Sequence, residues 1–571
     1  GNVTFSRRTL LSRMVTRPRR MFRRVPYAER TLDDDIRVLR LFYRNQGFLQ
    51  SDVAVHAVRP DSARHRVSVV ILIEEGPRTH VRAVSFAGNR VLRARQLRDK
   101  VHTAAGKPFI ASRIDRDVKR IGDLYGEQGY LQAAIVPRVE LDTARSQAAV
   151  AFEIAEREPT VIGDIGIEGL ERVKPRLVEH ELRFATGDTL TTKRIRSTVH
   201  ALHQTGLFRR VEVAPVLRDT AAVVPDAPQP RTVKVKLAEQ PMFDLGAGIG
   251  YATYEQLRGS GDIAYRNLFG LGRRVALSVR GSFVAQRGEV SYMSPRLLGL
   301  AGRLDLAGHY GHYDERGYEA NIGGMKASLS FTPVSTLTYG VRLRWEDVAY
   351  LEVPAVPIDS IDAKSTQSLS GSIVYDTRDD LFSPTRGLYL AGQAELAGLG
   401  GRATNQFYRV IGDIRGHTTL GTRTVFSSGG RVGYVQEYGG ALEVPVHERF
   451  FAGGNSSVRG FRTRMLGPLT VDADGDLAPV GGHLLLELHI LEWRFQIYRM
   501  LHGTLFADAG NVFGRATDIP RRGVRFSLGS GLNLRLPLGV VRADVAFPLG
   551  WNPYDPGEPA AWFHVDIGHA F

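Results

Sequence analysis

From residue 243 to the end of the chain, apolar and polar residues alternate with a period of two. The first such run is Phe243 to Tyr251, and the last is Phe563 to Phe571. In the run Leu337 to Trp345, aliphatic and aromatic residues on one face alternate with a threonine, a glycine and two arginines on the other. Such strands need water on one side and apolar surroundings on the other. The pattern therefore predicts an antiparallel sheet, in either a soluble sandwich or a membrane barrel.

Three features favour a transmembrane antiparallel β-barrel over residues 241–571. The segment is long, its strands are rich in aromatic residues, and an alternating strand ends on Phe571. Only a closed barrel leaves no unpaired strand edge in lipid. At about 21 residues per strand with its connection, the segment accommodates about 16 strands, within the even-numbered barrel series. No apolar run approaches the about 18 residues that a membrane helix needs.

Residues 1–240 contain a pattern that recurs three times. In each unit a glycine precedes a helical stretch, a second glycine follows it as a helix C-cap, and alternating strands come next. Each unit reads as a strand, two helices and two strands, which is an α+β module. We assign the modules to residues 1–76, 77–157 and 158–240. The first module lacks its opening strand, so we expect the chain to be a fragment of a longer product.

Composition divides the chain at the same place. Residues 1–240 carry 43 Lys and Arg against 28 Asp and Glu, whereas residues 241–571 carry 32 of each. The absence of cysteine excludes a disulfide framework, thiolate catalysis and cysteine-bound metals. Neither a GxSxG elbow, nor a phosphate-binding glycine loop, nor an HExxH motif occurs. We therefore expect no enzyme activity, no cofactor and no metal site.

Several ordered blocks of the sequence resemble the BamA/TamA outer-membrane protein assembly factors. The blocks are Glu448 to Phe461, which contains Val-Arg-Gly-Phe, then Tyr375 to Asp379, Pro384 to Gly387, Phe506 to Phe513, and the last strand. The three modules resemble POTRA domains. The resemblance covers essentially the whole chain, and its specificity comes from the order of the blocks rather than from any one of them.

The resemblance implies a 16-stranded barrel with a loop that folds back into its lumen. Its loop motif corresponds to Val458, Arg459, Gly460 and Phe461, and its wall motif to Phe506, Asp508 and Gly510. In the family the loop arginine pairs with the wall aspartate, here Arg459 with Asp508. The pairing is physically reasonable, because an arginine in a partly desolvated lumen needs a hydrogen-bonded anion.

The resemblance also implies a function without covalent chemistry: insertion of β-barrel proteins into the outer membrane of a Gram-negative, diderm bacterium. POTRA modules in the periplasm would bind unfolded β-barrel proteins by β-augmentation, and also accessory lipoproteins or an inner-membrane partner. The barrel, among outer-membrane lipids, would template incoming strands at a seam between its first and last strands. No nucleic acid is expected as a partner. The alternative is a two-partner secretion transporter that exports one dedicated substrate.

The seam residues come from the two terminal strands. In the first strand, Gly246, Gly248 and Gly250 either weaken the strand or relieve crowding in the lumen. The last strand is represented by Phe563, Val565, Ile567 and Phe571. Phe571 is also a candidate assembly signal for the protein's own barrel, a role compatible with the seam.

Overall fold

The computed structural model divides the chain into two units, residues 1–171 with 175–239 and residues 172–174 with 240–571. It describes residues 2–18, 27–63, 66–216, 230–297, 302–354, 365–381, 383–401, 403–421, 424–441, 443–472, 475–498, 500–519, 523–536, 539–550 and 559–567. No helix among these residues is both long enough and apolar enough to cross a membrane.

The N-terminal unit contains three α+β modules. The first comprises α1 (Arg7–Leu11), α2 (Glu29–Arg44), β1 (Asp52–Asp61) and β2 (Arg66–Glu74). The second comprises β3 (His80–Ala87), α3 (Ala94–Arg98), α4 (Ala111–Glu127), β4 (Ala134–Asp142) and β5 (Gln147–Ala155). The third comprises β6 (Val161–Glu168), α5 (Pro175–Glu181), α6 (Thr192–Gln204), β7 (Phe208–Val216) and β8 (Pro230–Glu239).

The second and third modules share one sheet topology. Their strand orders are β3-β5-β4 and β6-β8-β7, in which the opening strand runs parallel to the central strand and the other pair is antiparallel. In the first module the described residues form a two-stranded sheet of β1 and β2. The predicted order of a strand, two helices and two strands is therefore present in the second and third modules.

The modules also repeat one polar contact. In each one, a glutamate at the end of the last strand accepts hydrogen bonds from the loop before the first helix. The pairs are Glu75 with the Thr4 amide, Glu156 with the Arg90 and Val91 amides, and Glu239 with the Glu171 amide. Tyr43 and Tyr125 donate their hydroxyls to the first two of these carboxylates, and burial raises the pKa of both tyrosines.

A second repeated contact joins the second helix of a module to the segment that follows the first helix. Asp117 of α4 is fully buried and accepts hydrogen bonds from the backbone amides of His102 and Thr103, at 2.9 and 2.8 Å. Arg120 donates to the same carboxylate at 2.7 Å. Asp35 of α2 makes the same pair of backbone contacts in the first module. Burial alone would raise the pKa of Asp117, but the hydrogen bonds from Thr103, His102 and Arg120 hold it below its usual value.

The second unit is a closed barrel of 16 antiparallel strands, which confirms the predicted fold class. Its first eight strands are β9 (Phe243–Ala252), β10 (Gln256–Leu268), β11 (Arg273–Gly281), β12 (Ala285–Ser294), β13 (Arg303–Glu315), β14 (Tyr318–Val334), β15 (Leu337–Glu352) and β16 (Ser365–Asp376). The next three are β17 (Gly387–Ala397), β18 (Phe407–Leu420) and β19 (Thr424–Glu437). The last five are β22 (Leu484–Tyr498), β23 (Leu501–Phe513), β24 (Arg525–Leu536), β25 (Gly539–Leu549) and β26 (Trp562–Ile567).

The alternation separates an apolar outer face from a polar lumen. In β9, Leu245 and Ile249 are 80% and 77% exposed, as expected of side chains that face lipid. In β15, Leu343 and Trp345 are exposed, whereas Arg344 between them is mostly buried on the inner side. The structure therefore confirms the barrel predicted from the alternating pattern. The charged residues of these strands lie on the lumen side.

Candidate functional site

The connection between β19 and β22 is a long loop that packs inside the barrel. It contains a short hairpin of β20 (Leu469–Val471) and β21 (Leu477–Pro479). We call residues 444–466 the lumen loop. Its apolar side chains form one buried cluster with residues of the wall strands. The members are Ala397, Phe407, Val435, Val444, Phe450, Ala452, Val458, Phe461, Leu466, Leu485 and Val512.

Arg459 of the lumen loop is bound by two carboxylates of the wall. Its Nη2 donates to Asp508 Oδ1 at 2.8 Å, its Nε donates to Asp508 Oδ2 at 2.5 Å, and its Nη1 donates to Glu492 Oε2 at 2.9 Å. The Arg459 backbone amide also donates to Asp508, at 3.3 Å. Arg459 is 2% exposed and Asp508 is fully buried. The two residues therefore form a buried bidentate ion pair, the geometry in which arginine binds carboxylate most strongly.

An aromatic ring of the wall supports the same arginine. The guanidinium carbon lies 3.5 Å from the centre of the Phe506 ring, within cation–π range. Gly529 on the neighbouring strand makes room for that ring, since a Cβ there would lie 2.2 Å from it. His489 on β22 completes the contacts of Asp508, with its Nδ1 3.0 Å from Oδ1.

The two residues after Arg459 fit closely against the wall. Gly460 has a φ of +97°, and a Cβ at this position would lie 2.6 Å from the Cβ of Ser527. The Ser527 hydroxyl donates to the Arg459 carbonyl. Phe461 is 1% exposed and belongs to the buried cluster. Only glycine satisfies both the left-handed backbone and the close approach at position 460.

Val458 packs against the third residue of the predicted wall motif. A Cβ at Gly510 would lie 2.7 Å from Val458 Cγ2 and 2.4 Å from the Leu486 carbonyl oxygen. The structure thus brings together all seven residues of the loop and wall motifs that the sequence singled out.

The base of the lumen loop is held by a second ionic cluster, whose residues were not predicted from the sequence. Glu448, which is 3% exposed, accepts from Arg344 Nη2 at 2.6 Å and from Arg409 Nη1 at 2.7 Å. Both arginines also bind Glu395 of β17. The alternating pattern of β15 did predict that such a partner exists, because an arginine on the inner face of an aromatic strand needs an anion. The partner's identity could not be read from it.

The barrel closes between β9 and β26. The described pairs are Asp566 with Ala252 and Ile567 with Tyr251. Beyond them, the Thr253 amide donates to the Val565 carbonyl at 3.0 Å, and the Val565 amide donates to the Thr253 hydroxyl at 2.7 Å. Phe563, Val565 and Ile567 are at least 36% exposed on the outer face. Phe571 lies outside the described residues.

The glycines of β9 face crowded positions. A Cβ at Gly246 would lie 2.3 Å from a carboxylate oxygen of Asp262, and one at Gly250 would lie 2.6 Å from the Ile567 carbonyl oxygen. Gly248 pairs with Ser260 of β10. These distances favour relief of crowding at Gly246 and Gly250, and weakening of the strand stays a prediction.

One arginine spans the closure from the lumen side. Arg258 of β10 is 5% exposed, and its Nη2 donates to Asp566 Oδ1 of β26 at 2.6 Å. Its Nη1 donates to Glu255 at 3.0 Å. The side chain crosses β9 at Gly250, where a Cβ would lie 2.9 Å from Arg258 Nε. We call this contact the seam clamp.

Together these features define a class of protein: a 16-stranded membrane-type barrel with a loop fixed in its lumen, preceded by three α+β modules. Comparison with known families agrees with this description. The Omp85 superfamily domain matches residues 267–571, which is more than half of the chain. The POTRA family, described as a surface antigen variable number repeat, matches residues 1–76, 79–157 and 160–240. The chain belongs to the Omp85 superfamily.

The chain is similar to curated relatives along nearly its full length. It is 27% identical to the outer membrane protein assembly factor BamA of Nitratidesulfovibrio vulgaris, over 95% of this chain and 68% of that protein. It is 23% identical to BamA of Neisseria meningitidis, over 100% of this chain and 77% of that protein. The crystal structure of BamA from Haemophilus ducreyi lacking POTRA domains 1–3 has the same fold, with a TM-score of 0.70 at 20% identity, over 86% of this chain and 99% of that one.

Proposed function

We propose that this protein is an outer-membrane assembly factor that folds and inserts β-barrel proteins into the outer membrane of a diderm bacterium, with its POTRA modules in the periplasm. The observation that carries the proposal is the buried Arg459–Asp508 pair in a barrel whose whole chain aligns with proteins named as such factors. Specific accessory lipoproteins or an inner-membrane partner would bind through the same modules.

The mechanism needs no catalytic residue. An unfolded β-barrel protein carries backbone amides and carbonyls that lipid cannot satisfy, each at a cost of several kcal/mol. Any surface that pairs those groups while the strand enters the membrane lowers the barrier to insertion. In this protein two kinds of strand edge supply such a surface, first in the modules and then in the barrel.

The modules restrict the edges on which an unfolded strand can add. The outer strand of each hairpin contains a proline: Pro60 in β1, Pro137 in β4 and Pro215 in β7. Proline removes one backbone donor and blunts an edge. On the opposite side, Val81 of β3 and Ile162 of β6 are already hydrogen-bonded to the loops between the two helices of their own modules. We therefore propose that unfolded β-barrel proteins bind by β-augmentation to the C-terminal halves of β3 and β6.

The barrel would then present β9 and β26 as a template. The seam clamp holds these strands together at the resting stage, and an incoming strand would replace the β9–β26 hydrogen bonds one pair at a time. The lumen loop keeps the interior filled while the seam opens, because Arg459 and Glu448 attach it to wall strands away from the seam.

The test is a folding assay in liposomes. A urea-unfolded outer-membrane barrel is added to vesicles that contain the purified protein, and its folding rate is compared with that in empty vesicles. We expect acceleration, reduced by Arg459→Ala and retained in Arg303→Ala, which removes an exposed ion pair of β13. A correctly folded protein that gives no acceleration would contradict the proposal and favour the secretion transporter.

A further inference from the structure

Three side chains that could bind a metal ion converge at the base of the lumen loop. They are Glu346 of β15 and the consecutive loop residues His447 and Glu448. His447 Nε2 lies 3.7 Å from Glu448 Oε1 and 3.8 Å from Glu346 Oε1, and the three ligand atoms all lie within 4.8 Å of one another. The cluster is separate from the Arg459–Asp508 pair.

His447 provides a second, independent observation. Its side chain is 4% exposed, and its Nδ1 is hydrogen-bonded to the Tyr350 hydroxyl. Its Nε2 is buried and has no hydrogen-bond partner among the residues that the structure describes, although it faces two carboxylate oxygens. Distances of 3.7 and 3.8 Å are too long for hydrogen bonds. The same two oxygens accept from the Arg344 guanidinium, at 2.6 Å for Glu448 and 3.3 Å for Glu346, so a cation bound by the His447 nitrogen would share them with Arg344.

We propose that His447, Glu346 and Glu448 bind a divalent first-row transition-metal ion. One imidazole and two carboxylates form a donor set that such ions accept. Metal–nitrogen and metal–oxygen bonds of about 2.0–2.2 Å place neighbouring ligand atoms about 3.4 Å apart in a tetrahedral site. The two distances from His447 exceed this value by only a few tenths of an ångström, and the Glu346 and Glu448 oxygens lie within 4.8 Å of each other, so the two carboxylates must move closer to complete the site.

The charge of the surroundings favours a cation. The cluster contains three carboxylates, from Glu346, Glu395 and Glu448, and two guanidinium groups, from Arg344 and Arg409. With neutral histidines the sum is minus one, in a part of the lumen where these groups are largely removed from solvent. A buried net charge of this kind attracts a counter-ion.

Groups around the three ligands are placed as outer partners of a metal site usually are. Tyr350 orients the His447 ring, both arginines hydrogen-bond to Glu448, and His309 Nε2 lies 3.5 Å from the second oxygen of Glu346. Metal-bound histidines and carboxylates characteristically have such supports. A bound ion would join the loop to β15, an attachment that does not depend on the proposed assembly function.

Titration of the untagged, folded protein with Co²⁺ tests the proposal. We expect one equivalent to bind with visible ligand-field absorption, and Zn²⁺ to displace it. His447→Ala and Glu448→Gln should abolish this signal. Tyr350→Phe keeps all three ligands, and loss of an outer partner should weaken binding about 10- to 100-fold. His417→Ala is the matched control, because it removes a different histidine of the inner barrel face, on β18.

Two results would overturn the proposal. The first is the absence of stoichiometric Co²⁺ binding to the folded protein. The second is binding that His447→Ala leaves unchanged, which would place the ion elsewhere. Heat-modifiable migration in gel electrophoresis verifies that each variant has a folded barrel. Should His447→Ala fail to fold, an unchanged affinity in Tyr350→Phe decides against the site.

Discussion

Truncation of Arg459 to alanine leaves a buried carboxylate, Asp508, and a partly buried one, Glu492, without their main counter-charge. Asp508 keeps the backbone amide of residue 459 at 3.3 Å and its contact with His489, and Glu492 keeps arginines at 3.6 and 3.8 Å. Breaking a buried ion pair from one side costs about 3–5 kcal/mol. The loss of unfolding free energy in Asp508→Ala is expected at the lower end of that range, because Arg459 still binds Glu492 at 2.9 Å. Arg459→Ala is expected at the upper end.

The double variant reveals whether the two residues act as a pair. With both groups removed, neither is left buried and uncompensated, so we expect the loss to be close to that of Arg459→Ala alone. This corresponds to a coupling energy of about 3 kcal/mol between the two substitutions. The measurement is guanidinium unfolding in lipid vesicles, followed by tryptophan fluorescence, and the same three variants are compared in the liposome folding assay.

An exposed ion pair supplies the scale for this experiment. Arg303 and Asp305 of β13 are 59% and 35% exposed at the side chain, and such a pair contributes about 0–1 kcal/mol. Arg303→Ala should therefore be nearly neutral. If the losses from Arg459→Ala and Asp508→Ala simply add in the double variant, the buried pairing is refuted as the source of the effect.

Three further predictions concern the loop, the modules and the seam. Gly460→Ala should destabilise the barrel by about 1–3 kcal/mol through backbone strain together with the clash against Ser527. Gly475→Ala, at φ +88° in open space, has the strain without the clash and should show a smaller loss in the same unfolding measurement. The pKa of Asp117 is lowered by folding, so its contribution to stability is present above the unfolded value of about 3.9 and lost as pH falls through the folded value. The protection factors of amides in the second module, corrected for the intrinsic exchange rate at each pH, should therefore fall at acid pH in the wild type and change less in Asp117→Asn; parallel profiles would contradict this. Asp566→Asn removes the negative charge that Arg258 binds across the closure and should speed amide exchange in β26 about tenfold or more, and unchanged exchange would argue against the clamp.

The fold was largely predictable because its signals are local. Period-two alternation indicated the barrel, since each strand of a membrane barrel meets lipid on one face and the lumen on the other. The module repeat was visible for a comparable reason. Glu75, Glu156 and Glu239 each cap the same loop, so the same residue types recur at the same places.

The lumen contacts were predictable only where the family motif named both partners. Arg459 and Asp508 are 49 residues apart, and no local pattern relates them. Glu448 and Arg344 are 104 residues apart, and Arg258 and Asp566 are 308 apart. These contacts arise from the closure of the sheet, which places distant strands side by side. A sequence shows that an inner arginine needs an anion, but not which one it finds.

The lumen loop also constrains how this protein's own barrel is made. Arg316 of the β13–β14 turn donates to the carbonyl of Thr463, Arg344 of β15 binds Glu448, and Ser527 of β24 donates to the carbonyl of Arg459. The loop therefore contacts strands in widely separated parts of the barrel wall that encloses it. If the loop entered a closed barrel, its charged side chains would lose their hydration before they could form ion pairs with the wall. We therefore infer that the sheet wraps around an already docked loop, and that the two terminal strands meet last.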